Sequence, residues 1–126
     1  MTRVLVLSAI LAAAAAPARA QQPPVAPAAP TQVLATLTVN PDTDRAALMK
    51  VMPGEVRDTV KLYLDGKIQQ WYSRSDGRGV VFILNATSTA EAKALMDSLP
   101  LMKANLVTFE YMPLAPLAPL RMLLQP

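Results

Sequence analysis

The stretch KIQQWYSRSDGRGVVFILNA, Lys67 to Ala86, decides how this chain folds. Ile68, Trp71 and Tyr72 give Lys67–Ser75 the β-branched and aromatic content of a strand. Asp76-Gly77-Arg78-Gly79 then supplies a hairpin turn, with glycines available for positive φ. GVVFILNA follows as an almost unbroken apolar run. Such a run marks a central strand covered on both faces, so a second layer must exist on each side of it.

Upstream, Gln32–Asn40 (QVLATLTVN) is rich in aliphatic and β-branched residues and ends at an Asn-Pro boundary, so it reads as the first strand. Asp42 or Thr43 can cap a helix with Ala46, Ala47, Leu48, Met49 and Met52 as apolar positions. Pro53-Gly54 interrupts it, because proline lacks the amide hydrogen and clashes with the preceding turn. Pro53 also suits the first position of a new segment, with Glu55 in its first turn. Val56, Val60, Tyr63 and Leu64 continue at helical spacing to a stop at Gly66. A kinked or two-piece helix is expected.

Downstream, Ser88-Thr89-Ala90-Glu91 fits a capping box ahead of a helix that ends near Leu99-Pro100. NLVTFEYMP, Asn105–Pro113, reads as the last strand. The order is β-α-β-β-α-β, an α+β, ferredoxin-like sandwich. Both helices cover one sheet face and leave the other open. An open, partly apolar face needs a partner, and a homodimer is the simplest expectation.

The first twenty residues stand apart. Arg3, the apolar run Val4–Ala16 and the small-x-small site Ala18-Arg19-Ala20 form the pattern of a bacterial secretory signal peptide, too short to span a bilayer comfortably. Residues 21–31 are Pro/Ala-rich and read as an extended linker. The folded domain is expected over 32–114, and 115–126 as a Pro/Leu-rich arm lying on a partner subunit or over a pocket mouth. The expected product is periplasmic or secreted, with no stable membrane anchor after cleavage.

Composition narrows the chemistry. Twelve Lys and Arg less Arg3 and Arg19 leave ten against nine acidic residues, a net charge of +1 once the signal is removed. No basic cluster interleaved with aromatics points to nucleic acid. The chain has no cysteine and no histidine. Disulfides, His-assisted Ser or Cys nucleophiles and the usual zinc sites are thereby excluded. Acid–base work falls to Glu, Asp, Lys or Tyr, and neither a cofactor nor a metal is expected.

Several segments together resemble the muconolactone delta-isomerase-like family of the dimeric α/β-barrel superfamily. They are Gly66-Lys67 with Trp71, the strand Val80–Leu84, the helix Ala90–Leu95, Leu99-Pro100-Leu101, Glu110, and Pro113-Leu114. The resemblance covers about Pro53 to Leu117. It implies a ferredoxin-like subunit forming a dimeric α/β barrel and an isomerase that moves a proton within a small unsaturated lactone or carboxylic acid. The export signal, the proline-rich leader and the apolar tail depart from the family's cytoplasmic isomerase.

Alternation along the last strand puts Val107, Phe109 and Tyr111 on one face, with Leu106, Thr108, Glu110 and Met112 on the other. The apolar set belongs under the helices, which leaves Glu110 and Thr108 facing the space between two subunits. On the second strand, Ile68, Gln70, Tyr72 and Arg74 share one face, and Gln69, Trp71 and Ser73 the other; which faces inward is open at this stage. With the first set inward, Glu110 is the candidate base, Tyr72 or Gln70 steadies an enolate oxygen, and Arg74 anchors a carboxylate. Glu110 and Tyr72 are thus the expected catalytic pair, with Arg74, Gln70, Trp71 and Thr108 as substrate contacts. Glu110 as half of an ion pair and Trp71 as a core or dimer-contact aromatic are the bland alternatives. At the level of function, the alternative is a non-catalytic periplasmic dimer that binds a small ligand.

Overall fold

The structure, a computed structural model, describes residues 26–117, 120 and 123–124. The expected signal peptide and the start of the 21–31 linker lie outside the described residues. The elements are β1 (Gln32–Val39), α1 (Arg45–Leu64), β2 (Ile68–Ser73), β3 (Gly79–Leu84), α2 (Thr89–Asp97), the single turn α3 (Pro100–Lys103) and β4 (Val107–Leu114). The strands form one antiparallel sheet in the order β2-β3-β1-β4, which is the ferredoxin-like topology. No helix among the described residues is long and apolar enough to cross a membrane.

The period of two along β1 organises the core. Val33, Ala35 and Leu37 are buried on the helix side. In register with them lie Leu84, Phe82 and Val80 of β3, and Pro113, Tyr111 and Phe109 of β4. Ile68, Ala92, Met96, Leu99 and Leu101 close this layer from β2 and the helical side. The other face carries Leu34, Thr36 and Thr38 of β1 and Val81 and Ile83 of β3, half-buried with no second layer over them.

Three local expectations are revised: the break in α1, its cap at Asp42 or Thr43, and the faces of β2. α1 is continuous from Arg45 to Leu64 and runs through Pro53 instead of breaking there. A mid-helix proline costs about 3 kcal/mol, which the packing of half-buried Leu48, Met52 and Leu62 along one side offsets. Its cap is Asp44, whose carboxylate accepts from the amides of Ala46 and Ala47 at 3.2 and 3.3 Å. In β2, the grouping of Ile68 with Gln70, Tyr72 and Arg74 fails, because a β-bulge between Ile68 and Gln70 inserts one residue. Ile68, Trp71 and Ser73 therefore face the helices, and Gln70 and Tyr72 face the open side.

The α2 capping box forms with a small shift. Ser88 Oγ accepts the Glu91 amide at 3.1 Å, while Glu91 Oε2 reaches back to the Thr87 amide at 3.0 Å, one residue earlier than the usual partner. Ser88→Ala is expected to lower stability by about 1 kcal/mol in a urea titration. An unchanged midpoint would show that water replaces the cap without cost.

Candidate functional site

The bulge brings Gln70 and Tyr72 to the same open face as Glu110 and Thr108, but it does not bring them together. In the sheet register, Glu110, Thr36, Val81 and Tyr72 form one row across four strands. With neighbouring strands about 4.8 Å apart, Glu110 and Tyr72 stand roughly 14 Å from each other within one chain. Glu110 and Tyr72 are exposed, and Glu110 makes no side-chain hydrogen bond or ion pair among the described residues. Arg74 is held in the hairpin: it donates to Thr38 Oγ1 at 2.8 Å and to Asp76 Oδ2 at 2.5 Å. Trp71 lies on the opposite, helix-side face.

That opposite face holds a cavity of about 460 Å3 between α1 and the β1–β3–β2 half of the sheet. α1 lends it Leu48, Met52 and Val60; β1 and β3 lend Leu37 and Phe82. Trp71 borders it from β2, and Leu101 from α3. Two of its lining rings meet edge-on, Trp71 and Phe82 at 6.5 Å between centroids, and Tyr63 packs against Trp71 from outside the lining at 5.1 Å. The polar side chains of the lining are Glu55, Thr59 and Ser73.

Glu55 is the residue that changes the reading of this chain. Its position follows from a close approach of α1 to α3, where a Cβ on Gly54 would stand 3.7 Å from Pro100 Cγ. α3 begins Leu99-Pro100-Leu101, and Leu99 offers no side-chain cap. Proline at its first position has no amide to satisfy, so the first orphan donor is the Leu101 N–H. Glu55 Oε2 accepts it at 2.8 Å. This is the only hydrogen bond of the Glu55 side chain among the described residues. The residue is 6% exposed and is the buried ionisable group of the core.

Burial drives the Glu55 carboxyl above its ordinary value of 4.5; the Leu101 N–H partly opposes that rise, and the Asp58 carboxylate adds to it. The folded state therefore holds this proton more tightly than the unfolded chain does. Stability from this group is full below the unfolded value and falls as pH rises through the raised folded value. Unfolding titrations run upward from the ordinary carboxyl value are expected to show this downward slope, and Glu55→Gln to flatten it. An equal slope in both proteins would place the titration elsewhere. The phenol of Tyr111 is also pushed up, to about 12, by burial and by Asp97, but it lies on β4 and is absent from the cavity lining.

No protein-family model and no curated protein matches the chain. Among solved structures it is similar to 5-chloro-2-hydroxyhydroquinone dehydrochlorinase (TftG) from Burkholderia phenoliruptrix AC1100, in complex with 2,5-dihydroxybenzoquinone. The TM-score is 0.50 and the identity 19%, over 66% of this chain and 92% of that chain. An identity this low speaks to fold and not to chemistry. The chain has an α+β, ferredoxin-like fold, which it shares with that structure.

Proposed function

We propose that this chain is an exported, cofactor-free acid–base protein of the muconolactone isomerase-like kind, with its site in the cavity beneath α1. It acts on a small unsaturated carbonyl compound and shifts a proton within it. The observation that carries this reading is Glu55: a carboxyl buried at the wall of an apolar cavity, with one oxygen held by a backbone amide and its pKa raised by burial. A carboxyl group is a more effective proton carrier near neutral pH when its pKa is raised toward that range. The Glu55 carboxylate takes a proton from the carbon beside the carbonyl and leaves an enolate. It returns the proton to a more distant carbon, so the double bond moves and atoms balance. Thr59 and Ser73 are hydroxyl donors in the same lining for the enolate oxygen.

Two copies pack open face to open face in this reading, as the resemblance to dimeric α/β barrels implies. Thr36, Val81 and Ile83 then gain the second layer that one subunit does not provide. The neighbour of the same fold was solved with a small ring compound bound, in keeping with a ring-sized ligand here. A second reading, a non-catalytic binding protein, draws on the short polar inventory of the cavity, in which Glu55 is the only ionisable side chain among the described residues. The deciding experiment follows proton exchange into deuterated water by NMR for a panel of unsaturated lactones, ketones and acids. Exchange or isomerisation is expected from the purified protein, and its absence across the panel would favour the binding reading.

A further inference from the structure

Within the site read above as the ligand cavity, the arrangement of charge is one-sided, and we propose that it selects an uncharged ring compound carrying a hydroxyl or carbonyl group and rejects carboxylates. The inference rests on the cavity being the ligand site, and it departs from the expectation of a carboxylic acid anchored by Arg74. No lysine or arginine lines the cavity among the described residues, whereas a carboxyl group does. Asp58, one turn along α1, adds a second negative charge acting on Glu55.

The nearest cations on the hairpin are already committed. Arg74 projects toward Thr38 on the other side of the sheet and is paired with Asp76. Arg78 sits between two lining glycines, Gly77 and Gly79, yet its side chain is 71% exposed and its Nε faces Asp76 Oδ2 at 3.5 Å. A carboxylate entering the cavity would lose its water and meet no cation, only the Glu55 carboxyl and two neutral hydroxyls, an arrangement burial makes unfavourable for both acids. An uncharged hydroxyl or carbonyl meets complementary partners instead: the Glu55 carboxyl and the Thr59 and Ser73 hydroxyls, with Trp71 and Phe82 along the ring. An ammonium would be attracted to Glu55, but its burial requires Glu55 to ionise against the desolvation that already disfavours its charge.

Three probes of one shape and different charge test this: 2-naphthol, 2-naphthoate and 2-naphthylmethylammonium, titrated near neutral pH into the purified full protein by calorimetry. Trp71 is the chain's single tryptophan, so its indole N–H signal in a nitrogen–proton spectrum reports occupancy of the cavity without any assay of turnover. Naphthol is expected to bind at least about tenfold more tightly than either ion and to move the Trp71 signal. Tighter binding of the acid or of the amine, with the Trp71 signal moving, would overturn the charge selection and leave the cavity reading standing. Failure of all three to move that signal would overturn both. The variant Val56→Lys places a cation at an exposed position of the lining. It is expected to raise naphthoate affinity about tenfold, and an unchanged affinity would count against the electrostatic account.

Discussion

Replacing Glu55 with glutamine is expected to reduce proton-exchange turnover by about 10²–10⁴-fold, the usual contribution of a positioned acid or base. Glutamine preserves the length of the side chain, and its amide oxygen still accepts the Leu101 N–H. The turn at Leu99-Pro100-Leu101 should therefore stay capped, and only the capacity to carry a proton is lost. Stability provides the internal control. Because burial penalises the charged carboxyl, the variant is expected to be at least as stable as the parent above the raised pKa of Glu55. A loss of turnover in a protein of undiminished stability then assigns the chemistry to the carboxyl itself. If turnover survives in Glu55→Gln but disappears in Glu110→Gln, the chemistry belongs to the open face, and two subunits must assemble the site there.

How much of this was legible in the sequence depends on the length scale of each signal. The hairpin of Asp76–Gly79 and the apolar run after it are local and redundant, and the structure places β2 and β3 where they indicate. The same holds for Ser88-x-x-Glu91, whose chemistry can satisfy only a helix start. The β2 bulge was not legible. One extra residue between Ile68 and Gln70 changes no composition, yet it turns every later side chain of the strand to the other face. That single step moved Gln70 and Tyr72 to the open side and Trp71 to the cavity.

Glu55 was hidden for a different reason. Pro53 suggests a helix start, and an acid in the first turn of a helix needs no further explanation. Once α1 is known to be continuous, Glu55 falls into the stripe Leu48, Met52, Glu55, Thr59, Leu62, spaced three and four residues apart on the side that packs against the sheet. A carboxylate in such a stripe is an anomaly, and the anomaly was the available signal. What no pattern within α1 could supply is the partner. The Leu101 amide lies 46 residues away and becomes the hydrogen-bond donor to Glu55 only because α3 packs against α1.

Gly79→Ala is expected to be the most damaging single-methyl change in the domain. A Cβ built on Gly79 would stand 1.9 Å from the Leu37 carbonyl oxygen and 2.9 Å from its carbon. Those atoms belong to the backbone of β1, so no side-chain rotation can relieve the overlap. β1 and β3 would have to separate by about 1 Å, and these are the two central strands of the sheet, β1 carrying Val33, Ala35 and Leu37 into the core. A loss of about 3 kcal/mol, the upper end of the cost of overpacking, is expected from urea unfolding. Gly77→Ala is the informative comparison. Gly77 has φ +69 and nothing within 4 Å of its added Cβ, so it bears only the left-handed backbone penalty of about 1–2 kcal/mol. Both glycines line the same end of the cavity, which separates two ways of damaging it. Gly77→Ala should strain the turn while preserving the sheet. Gly79→Ala should pry apart the two strands that bear Leu37 and Phe82, so any loss of ligand binding should track the loss of stability. If Gly79→Ala unfolds at the same denaturant concentration as the parent protein, the close approach of β3 to Leu37 is not a constraint on the fold.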